Sequence, residues 1–228
     1  FCDLFLIAVL FVFPLYYKEF YFDILPAKYQ FYYLGVLALA LGVLAVGIAL
    51  MIFDLSRSGG IYTKEFFSCF KLSRLKETLT LPEKCLIVFL IVALISTMAS
   101  DYVYESFWGN EGRFTGLFLL LIYGISFWLV FRLSSLKEAV LEFFLVSSLF
   151  VCIFGITDYF DLNLLHFKDY IAKEQYTIFT STFGNINTYT AFVSLSLGLS
   201  SLLFALEKPG VKCLWHCVSM FVSMNALA

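Results

Sequence analysis

Residues 34–53 form a run of twenty with no charged side chain. As a helix such a run extends about 30 Å, the thickness of the hydrocarbon core of a bilayer. A soluble domain can hold it only by burying it on every side. Further apolar blocks follow at 85–100, 114–131, 139–157 and 189–206, with shorter ones at 4–17 and 213–228. Short clusters of charge separate them, the alternation expected of spans and loops. Composition agrees, with 61% of residues apolar and 14% charged, against roughly 45–50% and 25% in ordinary soluble domains.

The blocks predict an all-α, polytopic transmembrane helix bundle of about seven spans, one multi-span membrane domain over residues 1–228. The chain begins at Phe1 and stops at Ala228 inside apolar runs, so a piece of a longer protein is expected.

Basic residues give the expected orientation. The segments 54–84, 132–138 and 207–212 hold ten of them: Arg57, Lys64, Lys71, Arg74, Lys76, Lys84, Arg132, Lys137, Lys208 and Lys212. The opposite loops hold five: Lys18, Lys28, Arg113, Lys168 and Lys173. The positive-inside rule makes 54–84 a basic cytoplasmic loop and the N-terminus cytoplasmic. The loops 101–113 and 158–188 then face outward. The 54–84 loop suits contact with anionic membrane lipid, and no nucleic acid is expected as a partner. All six cysteines fall in spans or on the cytoplasmic side, so no outer disulfide framework is expected. Cys213, His216 and Cys217 have no partner cluster that would make them metal ligands. Almost no charge is expected inside the spans, which argues against a transporter. Glu142, near the start of its span, is within reach of the interface or of a polar interior.

Two outer segments stand apart from generic loop. The first is Trp108-Gly109-Asn110-Glu111-Gly112-Arg113-Phe114-Thr115-Gly116. Its glycines permit tight turns and close approach of a ligand to the backbone. Arg113 keeps its charge in a low dielectric and offers a planar fork to phosphate oxygens. The second is Ser181-Thr182-Phe183-Gly184-Asn185-Ile186-Asn187-Thr188, neutral and rich in amides and hydroxyls. Each precedes a span, so each is expected at a helix N-terminus, where free N–H groups and the dipole favour anions. If the two helices are neighbours, Arg113, Gly112, Asn185 and Asn187 frame one site for a lipid-linked diphosphate. The plainer roles are an interfacial arginine reaching for lipid phosphate and asparagines that cap or turn. His166 is expected on an interfacial amphipathic helix.

In these two segments the chain resembles the O-antigen ligase and O-antigen polymerase family of bacterial membrane glycosyltransferases. Gly109 to Gly116 follow the pattern G-x-x-x-R-x-x-G, and Phe183-Gly184-Asn185-Ile186-Asn187 is similar to the family's aromatic-glycine-N-P-N, with Ile186 replacing proline. The resemblance covers roughly residues 85–206. It implies an enzyme of the bacterial cytoplasmic membrane acting at its outer face. The donor would be an undecaprenyl-diphosphate-linked glycan and the acceptor a glycan or glycolipid, with no cofactor and no metal. It also implies a diphosphate-binding role for Arg113, and a general base on a later outer loop beyond Ala228. The alternative from another class is a polysaccharide or lipid-glycan flippase, which would carry its charged or broken-helix features near the midplane.

Overall fold

The computed structural model describes residues 1–18, 23–69, 78–110, 112–135, 138–164, 166, 169 and 181–227. Among the basic residues counted above, Lys71, Arg74, Lys76, Lys137, Lys168 and Lys173 lie outside the described residues, as does Glu111 of the first outer segment.

Among the described residues the chain is all-helical, with no strand. The helices are α1 (Cys2–Leu15), α2 (Ile24–Ser58), α3 (Ile61–Cys69), α4 (Leu81–Met98), α5 (Val103–Trp108), α6 (Leu117–Leu133), α7 (Glu138–Tyr159), α8 (Ile186–Leu206) and α9 (Val211–Leu227). Four of them, α2, α4, α7 and α8, are long and apolar enough to cross a membrane, whereas α1, α6 and α9 are shorter apolar helices. The expected seven therefore reduce to four by length. Seventeen residues in each of α6 and α9 make about 25 Å of helix.

Large apolar side chains stand exposed along α2 and α4: Leu41, Leu44, Leu50 and Ile52 on the first, Val88, Phe89, Val92 and Ile95 on the second. Water would penalise such faces and lipid does not. The chain is thus a membrane protein by composition and by the faces its helices present.

The chain divides into two compact units. The first comprises residues 1–2 and 33–134, with most of α2 and all of α3 to α6. Here α4 and α6 run antiparallel, because Glu83 at the start of α4 meets Arg132 at the end of α6. Arg132 donates from Nε to Glu83 Oε1 and from Nη2 to Oε2 at 2.8 Å. The N–H and hydroxyl of Thr80 also donate to Glu83, each at 2.8 Å. With Pro82 in the first turn, α4 thus has a well-formed start. The segment expected as the loop 54–84 contains the end of α2, all of α3 and the start of α4. Asp54 joins α2 to α3 by accepting from the Thr63 N–H at 2.8 Å and hydroxyl at 2.7 Å.

The second unit comprises residues 3–32 and 135–228. Its core is Val151, Cys152, Phe183, Tyr189 and Val193, with Leu15, Phe192 and Val222 packed against it. The expected block 4–17 is not one regular helix. A π-helical turn over Ala8–Val12 precedes Pro14, and Phe13 N–H reaches back to Ala8 O. Proline supplies no N–H, and its ring crowds the carbonyl four residues earlier, which the wider turn relieves. Side chains from elsewhere in the unit reach carbonyls of this helix. Ser147 donates to Phe11 O at 2.9 Å, and Thr182 donates to Pro14 O at 2.6 Å.

Candidate functional site

Within the first unit, α5 ends in Phe107 and Trp108, whose rings pack on Phe118 of α6. This fixes the two flanks of the Arg113 loop. The loop is closed at its neck by the two outer glycines of the G-x-x-x-R-x-x-G pattern. A β-carbon on Gly109 would strike Thr115 N, Phe114 C and Gly116 N, and one on Gly116 would strike Phe107 O and Gly109 N. Two backbone strands meet there with no room for any side chain. Between them the chain turns at Asn110, whose carbonyl accepts from Arg113 N–H and Phe114 N–H, both at 3.1 Å. Gly112 takes φ 81° in open space, a left-handed conformation that glycine adopts without cost.

Arg113 is exposed at the loop tip and forms no ion pair among the described residues. The neighbouring helix α6 begins at Gly116 with no side-chain cap. A guanidinium and an uncapped helix start thus belong to one loop, an arrangement that attracts phosphate oxygens.

The second segment lies in the second unit and differs from expectation. Asn185 is the N-cap of α8, its Oδ1 accepting from Asn187 N–H at 2.8 Å and Thr188 N–H at 3.3 Å. Two N–H groups expected to be free for an anion are therefore occupied. The cause is local: an asparagine in extended geometry just before a helix bonds its own first turn. Asn185 and Asn187 are both exposed. The preceding turn is anchored inward, with Ser181 donating to Val151 O at 2.8 Å and Ser181, Thr182 and Phe183 all buried.

Lys28, expected on an outer loop, is buried beside that turn, with 6% of its surface exposed. Its Nζ donates to Phe13 O at 2.6 Å and Pro14 O at 3.0 Å. It also lies 4.9 Å from the ring centres of both Phe13 and Phe183. No carboxylate pairs with it among the described residues. Nothing in the local sequence signals this, because its partners are the end carbonyls of α1, fourteen and fifteen residues earlier. Lys28→Met is expected to keep the fold, since buried charges are often replaced by apolar groups at little cost. Lys28→Ala should lose about 2–5 kcal/mol through the cavity it leaves. Thermal unfolding in detergent separates the two, and equal losses would show that the charge itself holds the turn.

Two other expectations are corrected. His166 has φ 56°, outside any right-handed helix, and pairs with Asp169 at 2.9 Å. The apolar helices also hold buried polar groups: His216 of α9 is 1% exposed and meets Glu142 of α7 at 2.9 Å. The two residues are 74 positions apart, so local pattern could not pair them. Among the described residues, no group of three or more His, Cys, Asp or Glu side chains is placed to hold a metal ion.

Comparison of the chain with family models, with curated proteins and with solved structures gives no match.

Proposed function

We propose that this protein transfers or polymerises a lipid-diphosphate-linked glycan at the outer face of the bacterial cytoplasmic membrane, as O-antigen ligases and polymerases do. In this proposal α1, α6 and α9 also cross the bilayer, for about seven spans, and the N-terminus is cytoplasmic. The donor is an undecaprenyl-diphosphate-linked glycan and the acceptor a glycan or glycolipid. The observation that carries the proposal is the Arg113 loop. Its glycine neck, exposed guanidinium and uncapped helix start lie on the residues of the G-x-x-x-R-x-x-G pattern and suit phosphate oxygens.

The chemistry needs such a group. The acceptor hydroxyl oxygen bonds to the anomeric carbon while the bond from that carbon to the diphosphate breaks. The hydroxyl proton passes to a base, and the lipid diphosphate leaves with added negative charge. A guanidinium held against those oxygens lowers the barrier. Asn185 and Asn187, exposed at the start of α8, are proposed to face the substrate.

Arg113→Ala is expected to lower glycan transfer about 10²–10³-fold, the loss typical of removing one electrostatic stabiliser. Membrane insertion should be unchanged. Arg113→Lys should recover little, because a point charge does not reproduce the fork. Unchanged transfer in Arg113→Ala would remove the loop from the mechanism.

One observation favours a lipid-glycan flippase instead: the Glu142–His216 pair puts ionisable groups inside the bundle, where transporters carry them. Translocation of the lipid-linked glycan without any transfer product would establish that alternative.

A further inference from the structure

Along α7 and α9 the polar side chains meet in register. Lys212 Nζ donates to Glu138 Oε1 at 2.6 Å. Four residues on, Trp215 Nε1 donates to Glu142 Oε2 at 3.0 Å, and His216 Nε2 bonds Glu142 Oε1 at 2.9 Å. Farther along, Ser223 lies beside Cys152 and pairs with Ser196 of α8 at 3.2 Å. The two helices therefore run parallel, and their shared face is a polar seam rather than an apolar one.

Ser148 of α7 and Ser219 of α9 fall in the stretch between the Glu142–His216 and Cys152–Ser223 contacts. Ser219 follows His216 by three residues and so shares its helix face. Ser148, His216 and Ser219 are 1%, 1% and 3% exposed. The hydroxyls of both serines and Nδ1 of His216 are buried with no hydrogen-bond partner among the described residues.

Nδ1 needs a partner in every protonation state. With Nε2–H donating to the Glu142 carboxylate, neutral imidazole leaves Nδ1 an acceptor, and imidazolium makes it a donor. Three such orphans in one stretch are costly in an apolar bundle unless a small polar species bridges them. Water fits, because it donates and accepts at once and needs only two to four polar neighbours.

We propose that the α7–α9 seam is a hydrated proton-binding site. Buried water joins His216 Nδ1, Ser219 and Ser148, and the Glu142–His216 pair takes up and releases one proton through it. The charged groups beside the pair are Glu138 of α7, Glu207 at the end of α8 and Lys212 of α9, while α1, which packs against α7, carries Asp3. Near the Lys212 end these are two further carboxylates and one lysine, so a proton on the pair reduces a net negative charge. The site is independent of the glycan-transfer proposal and makes no use of the Arg113 loop.

The chain has two histidines, and His166 is exposed. In His166→Gln protein labelled with nitrogen-15 histidine and held in lipid nanodiscs, the His216 signal is the one lost on His216→Gln. The spectrum, recorded across about pH 5–9, is expected to show Nδ1 in contact with exchangeable water and to respond to pH. Removing both serines (Ser148→Ala with Ser219→Ala) should weaken the water contact, and Glu142→Gln should move the midpoint. A dry Nδ1, or a signal constant across that range, would overturn the site. If Glu142→Gln fails to insert, the His166→Gln spectrum alone decides.

Discussion

Leucine in place of Gly155 is expected to stop the second unit from assembling. Gly155 lies on α7 where a β-carbon would strike the hydroxyl, Cζ and Cε2 of Tyr189. Tyr189 is fully buried among Val151, Cys152, Phe183 and Val193, so its ring has no space to swing into. Small residues are what allow membrane helices to approach this closely. A full leucine side chain must separate α7 from α8 and open the core they share. The cost should reach about 3 kcal/mol, the upper end for overpacking a dense interior. Gly155→Ala should show a smaller loss in the same direction. The measurement is thermal unfolding of detergent-solubilised protein together with the amount inserted in membranes. Restoration by Tyr189→Ala in the Gly155→Leu background would identify the clash, and an unchanged melting curve for Gly155→Leu would disprove the close approach.

The second large effect is expected at the neck of the Arg113 loop. Gly116 has φ −96° and ψ −179°, ordinary extended backbone that alanine adopts freely. The obstacle is space, because the new methyl would meet Phe107 O and Gly109 N. Gly116→Ala must therefore pull apart the two strands that hold Arg113 at the tip. On the proposed function, glycan transfer should fall about 10²–10³-fold, as far as in Arg113→Ala. Combining the two substitutions should add little, since both remove the same interaction. Insertion should persist, because Glu83, Arg132 and Thr80 hold α4 and α6 together away from the loop. Full transfer by Gly116→Ala would mean that the closed neck is not needed.

Much of the helical framework can be read from the chain because lipid accepts apolar residues in long uninterrupted runs. The edges of α2 could not be read as well. Lys28 and Asp54 suggest the ends of a span, yet both are absorbed into the helix, one by carbonyls of α1 and the other by Thr63. Position 14 announces a break in the first block, but not the π-helical turn that accommodates it. At the site, the Arg113 loop was visible because glycine spacing is a local property of backbone geometry. The capping role of Asn185 was visible as the plainer of two roles, and the structure adopts it. The Glu142–His216 pair was out of reach, since it depends on two helices settling parallel and in register across 74 positions.

The broken first helix bears on how the chain is made. Its carbonyls at Phe11 and Pro14 accept from Ser147 and Thr182, and those at Phe13 and Pro14 accept from Lys28. In hydrocarbon a bare carbonyl is costly. During synthesis the side-chain donors from Ser147 and Thr182 reach α1 only after residues far downstream have been delivered. Helix α1, although translated before α7 and the turn at Thr182, takes its final seat in the second unit only after both have been made.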